Sequence, residues 1–239
     1  MEVRTKVIRY YSNISETYER VRLGTVRAEI VSESQIDWFI ENLESTGRVC
    51  LEIGCGTGRI TRALAGRTKF LVATDASLEM IRVNRNIAAA DAQTQYVLCD
   101  ASHLPFLDKS CDSVIGARLF WHLKTYRKAL REAFRVVEDE CPLLFDFPSL
   151  LGPFALHSKL RRVKHEVLTL FIDRKTVRQI FSKASIVVIR GNASVFLFLL
   201  PTRLLMVSAI RKALCLFEQF NYIFFKDWLY SYYLIRVTK

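Results

Sequence analysis

Val49-Cys50-Leu51-Glu52-Ile53-Gly54-Cys55-Gly56-Thr57-Gly58-Arg59 sets a short apolar run directly against three glycines. An apolar run of that length, stopped by glycine, reads as a buried strand. The glycines let the backbone turn tightly and come close to a ligand. Residues from Arg59 to about Ala65 read as a helix, so the loop offers free N–H groups at a helix start, where polar ligand groups are received. The spacing is G-x-G-x-G, and Arg59 holds the sixth position of a G-x-G-x-x-G motif. That departure counts against a pyrophosphate-bearing dinucleotide. No G-K-[ST] follows, which excludes a P-loop.

Outward from this loop the pattern repeats. A second apolar run, Phe70–Thr74, ends at Asp75, 21 residues after Gly54, the spacing of a carboxylate that accepts both hydroxyls of a ribose. Ser77 reads as the N-cap of a helix with Leu78, Ile81 and Arg85 on one face. Tyr96–Cys99 ends at a second acid, Asp100; Ser113–Ala117 is a fourth run and Leu143–Phe147 a fifth. Between these two, Leu123, Tyr126, Leu130, Ala133 and Val137 share a helix face. Upstream, Ile36, Phe39, Ile40 and Leu43 predict an amphipathic helix over about 33–45. Strands alternating with helices predict parallel βαβ units with both faces of the sheet covered. Ligands of such sheets bind beyond the carboxyl ends of the strands, which is where Gly54–Gly58, Asp75 and Asp100 fall.

After Ser149 the pattern changes. Asp173 is placed to cap a helix with Val177, Ile180 and Phe181 inward. Ile186–Ile189 and Ser194–Leu199 read as strand, bent around Gly191. Pro201 suits the first turn of a helix running to about Phe220, and Tyr230–Val237 alternates as a final strand. Two late strands would close the far edge of the sheet.

Four ordered blocks together resemble a known family. Val49 to Arg59, Ala73-Thr74-Asp75-Ala76-Ser77 with Met80-Ile81, Cys99 to Phe106, and Asp112-Ser113-Val114 leading to His122-Leu123 are similar to the signature of class I S-adenosylmethionine-dependent methyltransferases, specifically the methyltransferase type 11-like domain. The resemblance implies a Rossmann-like, doubly wound, mostly parallel seven-stranded α/β sheet whose last strand is antiparallel. It divides the chain into an N-terminal helical cap (1–48), an S-adenosylmethionine-binding core (49–149) and a basic, aromatic-rich part (150–239) that completes the sheet and builds the acceptor pocket.

In that family the glycine loop, here Gly54, Cys55, Gly56 and Gly58, lies under the methionine part of the cofactor, with Glu52 near its amino group. By the same resemblance Asp75 holds the ribose hydroxyls, Ala76 packs by the adenine, and Asp100, beside Ala101, bonds the adenine amine. An unpaired carboxylate in an apolar strand is costly, so Glu52 is expected to carry a hydrogen bond, functional or structural. Asp112, just before a strand, reads as structural. One block departs: where the family often has R-x-L-K-P-G-G, this chain has Arg135-Val136-Val137-Glu138-Asp139-Glu140-Cys141-Pro142, with both glycines absent.

The acceptor side is less legible. Methyl transfer depends mainly on positioning, with at most a general base for the nucleophile. His122, just past the fourth strand, is the histidine nearest the expected cleft and the candidate base; its alternative is a helix-start residue packed beside Trp121. Arg118, at the end of the same strand, could hold an acidic substrate group or could be solvated or salt-bridged. Tyr10, Tyr11 and Tyr18 lie on a segment that in this family often folds over the cofactor.

Composition bounds the partners. The chain has 239 residues, half of them hydrophobic, and a net charge of +11. Residues 1–149 hold 20 basic and 20 acidic residues, whereas 150–239 hold 15 and 4, with 14 of the 28 aromatics. A basic, aromatic-rich end suggests an anionic partner. The first expectation is a small-molecule or lipid-like acceptor, with Phe217, Phe220, Tyr222, Phe224, Phe225 and Trp228 as pocket or core. A second is an RNA methyltransferase using Lys159, Arg161, Arg162, Lys164, Arg174, Lys175 and Arg178 as a phosphate track. A third is a non-catalytic cofactor-binding subunit. A basic helix over 201–220 could also touch anionic lipid. Six cysteines form no C-x-x-C pair and four histidines no metal-ligand spacing, so no metal is expected. The charged N-terminus lacks a leader's apolar core, and Pro201 and Arg203 break the most apolar stretch short of a membrane span. The expected location is cytoplasmic.

Overall fold

The computed structural model describes residues 2–43, 49–87, 93–150, 170–182, 184, 186–194 and 230–238, with positions 152, 155, 210 and 213. The run that opened the sequence reading is β1 (Val49–Ile53), flanked in parallel by β2 (Phe70–Asp75) and β4 (Ser113–Gly116). β3 (Thr94–Leu98) extends the sheet beside β2, and β5 (Pro142–Pro148) beside β4, again in parallel. β7 (Tyr230–Thr238) runs antiparallel to both β5 and β6 (Ile186–Ser194). The order is therefore β3-β2-β1-β4-β5-β7-β6, seven strands with the last one antiparallel, as expected. β6 passes through Gly191 without a break, pairing it with Tyr233. The chain winds one way from β1 to β3 and the other way from β4, so the switch point lies between the ends of β1 and β4.

Side chains of a strand alternate between faces, and β1 and β5 divide accordingly. Leu51, Ile53, Phe145 and Phe147 pack with Ala129, Leu130 and Ala133 of α6 (Tyr126–Val136) and with Val177 of α7 (Arg174–Ile180). Cys50 and Leu144 belong to the opposite face, with Trp38 and Phe39 of α3 (Val26–Asn42) and Ile60 and Leu64 of α4 (Arg59–Leu64). Glu52 and Asp146 share this second parity, so each aims a buried carboxylate toward α3 and α4. α5 (Leu78–Ile87) starts at the expected cap, where Ser77 Oγ accepts from the Met80 N–H at 3.2 Å. Asp173 caps α7 as expected, accepting from the Thr176 N–H at 2.6 Å.

Before the sheet stand α1 (Glu2–Ile14), a 3-10 turn (Ser15–Thr17) and α2 (Tyr18–Leu23). α3 begins at Val26, well before the predicted residue 33, with Thr25 as its N-cap. Ser32 and Gln35 occupy buried positions on its inward stripe, which interrupts the apolar period and left only the second half legible. The departing block keeps its turn by other means. Glu140 adopts φ 64°, a left-handed conformation that costs a non-glycine residue about 1 kcal/mol. Arg135 meanwhile bonds the Leu104 and Phe106 carbonyls at 2.9 and 2.8 Å. Asp112 is structural, accepting from the Val49 N–H at 2.6 Å.

Lys159 to Lys164 of the basic track, the aromatic tract Phe217–Trp228, most of the expected 201–220 helix and the run 195–199 lie outside the described residues. Among the described residues no helix is long and apolar enough to cross a membrane.

Candidate functional site

A cleft opens at the carboxyl ends of β1, β2, β3 and β4. Its floor on one side is the glycine loop. Gly54 and Cys55 donate their N–H groups to the Thr74 carbonyl at 2.7 and 2.8 Å, tying the loop to the end of β2. The Asp75 carboxylate completes the tie, accepting from the Gly56 N–H and the Ser77 N–H, each at 2.9 Å. Each of its oxygens keeps a second lone pair for a ligand hydroxyl. Burial raises the Asp75 pKa above the ordinary carboxylate value, and the Ser77, Gly56 and Ala76 amides oppose that rise. Gly56 adopts φ 52°, and a Cβ added there would meet no atom within 4 Å. The backbone is thus bare where it faces the cleft, the cradle that close approach of a ligand requires.

The sequence-derived candidates divide. Gly54, Gly56, Asp75, Ala76, Asp100, Ala101 and His122 all line the cleft. Asp100 accepts from the Ser102 N–H at 3.0 Å and the Ser102 hydroxyl at 2.8 Å, with His103 Nδ1 at 3.4 Å. Glu52, Cys55 and Gly58 are not in the cleft wall. Glu52 is 2% exposed and accepts the Thr61 hydroxyl at 2.6 Å beneath the loop, because its strand parity turns it toward α4. Burial there pushes its pKa up to about 8. Cys55 packs with Ala73 and Ile81. Gly58, at φ 93°, is the hinge from loop to helix, and a Cβ there would collide with the Asn84 amide oxygen.

The other side of the cleft is built by Arg118, Leu119 and His122 after β4, and by Val7, Ile8 and Tyr11 of α1 with Tyr18 of α2 above them. Tyr10 is absent from that wall; it stacks edge-on against Tyr11. The Tyr11 ring meets the His122 ring at 5.4 Å. Ser12 and Ser77 share a hydrogen bond at 2.9 Å. Glu19 of α2 pairs with Arg62 at 2.6 Å and accepts the Thr57 hydroxyl at 3.1 Å.

A buried polar network behind the cleft had not been read from the sequence. Asp146 of β5 is fully buried; its Oδ1 accepts from the Arg118 N–H at 2.5 Å and its Oδ2 from Gln35 Nε2 at 2.7 Å. Gln35 in turn accepts from Arg59 at 2.6 Å, and Arg59 donates to Ser32 Oγ at 3.0 Å. Arg59 therefore replaces the third motif glycine in order to dock α3 on the sheet. Burial raises the Asp146 pKa to about 6 against the pull of both arginines. The signal available in sequence was one acid in the otherwise apolar run Pro142–Pro148.

Fold and cleft define an α/β protein of the doubly wound class, with its candidate site at the switch point. Residues 51–145 match the family model described as methyltransferase domain. An uncharacterized methyltransferase of Mycobacterium tuberculosis is 37% identical over 102 residues, 43% of this chain and 39% of that protein. The demethylmenaquinone methyltransferase of Clavibacter sepedonicus is 36% identical over 92 residues, 38% of each chain. The matched segment thus spans about two fifths of these curated relatives' length. The crystal structure of an S-adenosylmethionine-dependent methyltransferase from Thermotoga maritima superposes with TM-score 0.69 at 17% identity, covering 96% of this chain and 98% of that one; this likeness shows the shared fold. Residues 51–145 are thus similar to the methyltransferase domain of that family model, and the fold is that of an S-adenosylmethionine-dependent methyltransferase. The bare backbone at Gly56 and the two lone pairs on Asp75 fit its cofactor.

Proposed function

We propose that the chain transfers the methyl group of S-adenosylmethionine to a small or lipid-like acceptor entering the cleft from the side of α1 and Arg118. The observation that carries this reading is the Gly56–Asp75 pair, a carboxylate pinned to a bare loop at the switch point. When bound, the cofactor supplies an electrophilic sulfonium methyl. Asp75 takes the ribose hydroxyls, Ala76 and Ala101 leave room for the adenine, and Asp100 accepts from its amine. Glu52 acts from behind, holding α4 and thereby the loop. Residues 1–48 act as a cap: Tyr11 and Tyr18 cover the reacting ends and exclude water. Where the acceptor nucleophile carries a proton, His122 takes it up. Positioning supplies most of the rate, as it does in reactions that need little acid–base help.

Calorimetric titration of S-adenosylhomocysteine into the wild type, Asp75→Asn and Asp75→Ala tests the cofactor half. Binding in the wild type should weaken at least tenfold in both variants, since a lost charge-assisted bond costs about 1.5–3 kcal/mol. Equal affinity in all three, or none in the folded wild type, would overturn the reading.

A further inference from the structure

The two ends of the cleft carry opposite charge. Asp75 and Asp100 line the end formed by β2 and β3, whereas Arg118 and Lys124 line the end beyond β4. Arg118 is held there under strain. Its φ is 55°, a left-handed conformation that costs a bulky residue about 1–2 kcal/mol, and the bond from its N–H to Asp146 fixes it. Arg118 lines the cleft from this turn, with Asp146 and Arg59 close behind it.

The guanidinium is short of a partner. Its Nε is buried with no hydrogen bond among the described residues, and so are the Tyr11 hydroxyl and the Trp121 Nε1. Arg118 lies over the Trp121 ring at 5.9 Å, which supplies a flat seat but accepts no N–H. Among the described residues it forms no ion pair. Asp146, the carboxylate behind it, has one oxygen on the Arg118 backbone and the other on Gln35. Arg59 and Arg118 thus both act on Asp146, and neither of its oxygens is hydrogen-bonded to the Arg118 guanidinium. Arg22, over the Tyr18 ring at 5.7 Å, is a further cation close enough to the Tyr11 hydroxyl for each to shift the other's ionisation. Unmet buried donors cost about 1–3 kcal/mol each; Arg118 Nε and Trp121 Nε1 can only donate, and the Tyr11 hydroxyl can donate as well as accept.

We infer that the β4 end of the cleft is an oxyanion subsite, in which Arg118 with the Tyr11 hydroxyl holds a carboxylate or phosphate group of the methyl acceptor. The guanidinium fork suits a planar or tetrahedral oxyanion by paired N–H bonds. The acid end receives the cationic, hydroxyl-rich cofactor, and the basic end receives the acid of its partner. This assignment rests on the methyltransferase reading for what the anion belongs to, but anion binding can be measured without catalysis.

The test uses the full chain saturated with S-adenosylhomocysteine, whose own titration reports on the cofactor reading separately. The probes are inorganic phosphate and butyrate, each added at constant ionic strength. The reporter is the Arg118 Nε–H resonance in a nitrogen-15 correlation spectrum, assigned by its disappearance in Arg118→Lys. The resonance should shift saturably in the millimolar range with one of the two anions, and that anion identifies the acid. Tyr11→Phe should weaken the binding several-fold, and Arg118→Gln at least tenfold by a displacement assay, each measured at an S-adenosylhomocysteine concentration shown to saturate that variant. No saturable shift with either anion in wild-type protein that binds S-adenosylhomocysteine would overturn the subsite while leaving the methyltransferase reading intact. Loss of S-adenosylhomocysteine binding alone, with the anion shift kept, would overturn the methyltransferase reading and leave the anion site standing.

Discussion

Gly56 and Gly58 have similar backbones and opposite surroundings. Both are left-handed, but the missing Cβ of Gly56 faces open cleft whereas that of Gly58 faces the Asn84 amide. Gly56→Ala should therefore cost only about 1 kcal/mol of stability, the strain of the conformation, while reducing S-adenosylhomocysteine affinity more than tenfold by placing a methyl in the cradle. Gly58→Ala should lose about 2–4 kcal/mol, because Asn84 also donates to Thr61 at 2.9 Å and cannot retreat without releasing it. Urea denaturation and calorimetry on the two variants check both halves; equal effects on stability would remove the distinction. The sequence showed that this loop needs glycine. Which glycine serves the ligand and which the helix depends on Asn84, 26 residues away, and that was not legible.

At the scale of elements, the N-terminal helices are the part whose role sequence periodicity caught least. β1 to β5 were readable because buried parallel strands are nearly continuous apolar runs, and Asp75 and Asp100 were readable because they end them. α3 was half legible, since Ser32 and Gln35 sit where the apolar stripe should continue. Asp146 was passed over inside an apolar strand, although the same reasoning singled out Glu52. Contacts between α2 and the glycine loop make a specific expectation. Glu19 holds both Arg62 and Thr57, so Glu19→Ala should free the cap. The pair is about one-third exposed on each side, and such pairs contribute at most about 1 kcal/mol. Stability should change little, while S-adenosylhomocysteine dissociation, followed by stopped-flow fluorescence, should quicken three- to tenfold. An unchanged rate would show that α2 does not cover the ligand.

Two buried carboxyls, Glu52 and Asp146, give the whole molecule a pH signature, to which Asp75 adds in the same direction. Glu52 is raised from 4.5 to about 8 and Asp146 from 3.8 to about 6, both chiefly by burial. Between the ordinary and the raised values the folded chain holds protons that the unfolded chain has released. Stability then falls as pH rises, and the Glu52 contribution is still falling between pH 6 and 8. Glu52→Gln keeps an acceptor for Thr61 and removes the titration, while Asp146 is common to both proteins. The variant's stability relative to wild type, measured by urea denaturation without ligand, should grow by about 2–3 kcal/mol from pH 6 to pH 9, at about 1.4 kcal/mol per pH unit of displacement. A constant difference across that range would mean that Glu52 is ionised in the folded chain.

Asp146 also ties together regions that lie far apart in the chain. Its two oxygens hold the backbone of Arg118 and the amide of Gln35, and through Gln35 the guanidinium of Arg59. The position of Arg118 and the seating of α3 are thereby set from one carboxylate. Neither can drift alone: a substitution at Gln35 leaves Arg59 with only its Ser32 bonds on one side and one oxygen of Asp146 unmet on the other. Positions 35, 59, 118 and 146 should accordingly be inherited as a block, so that relatives lacking one lack the others.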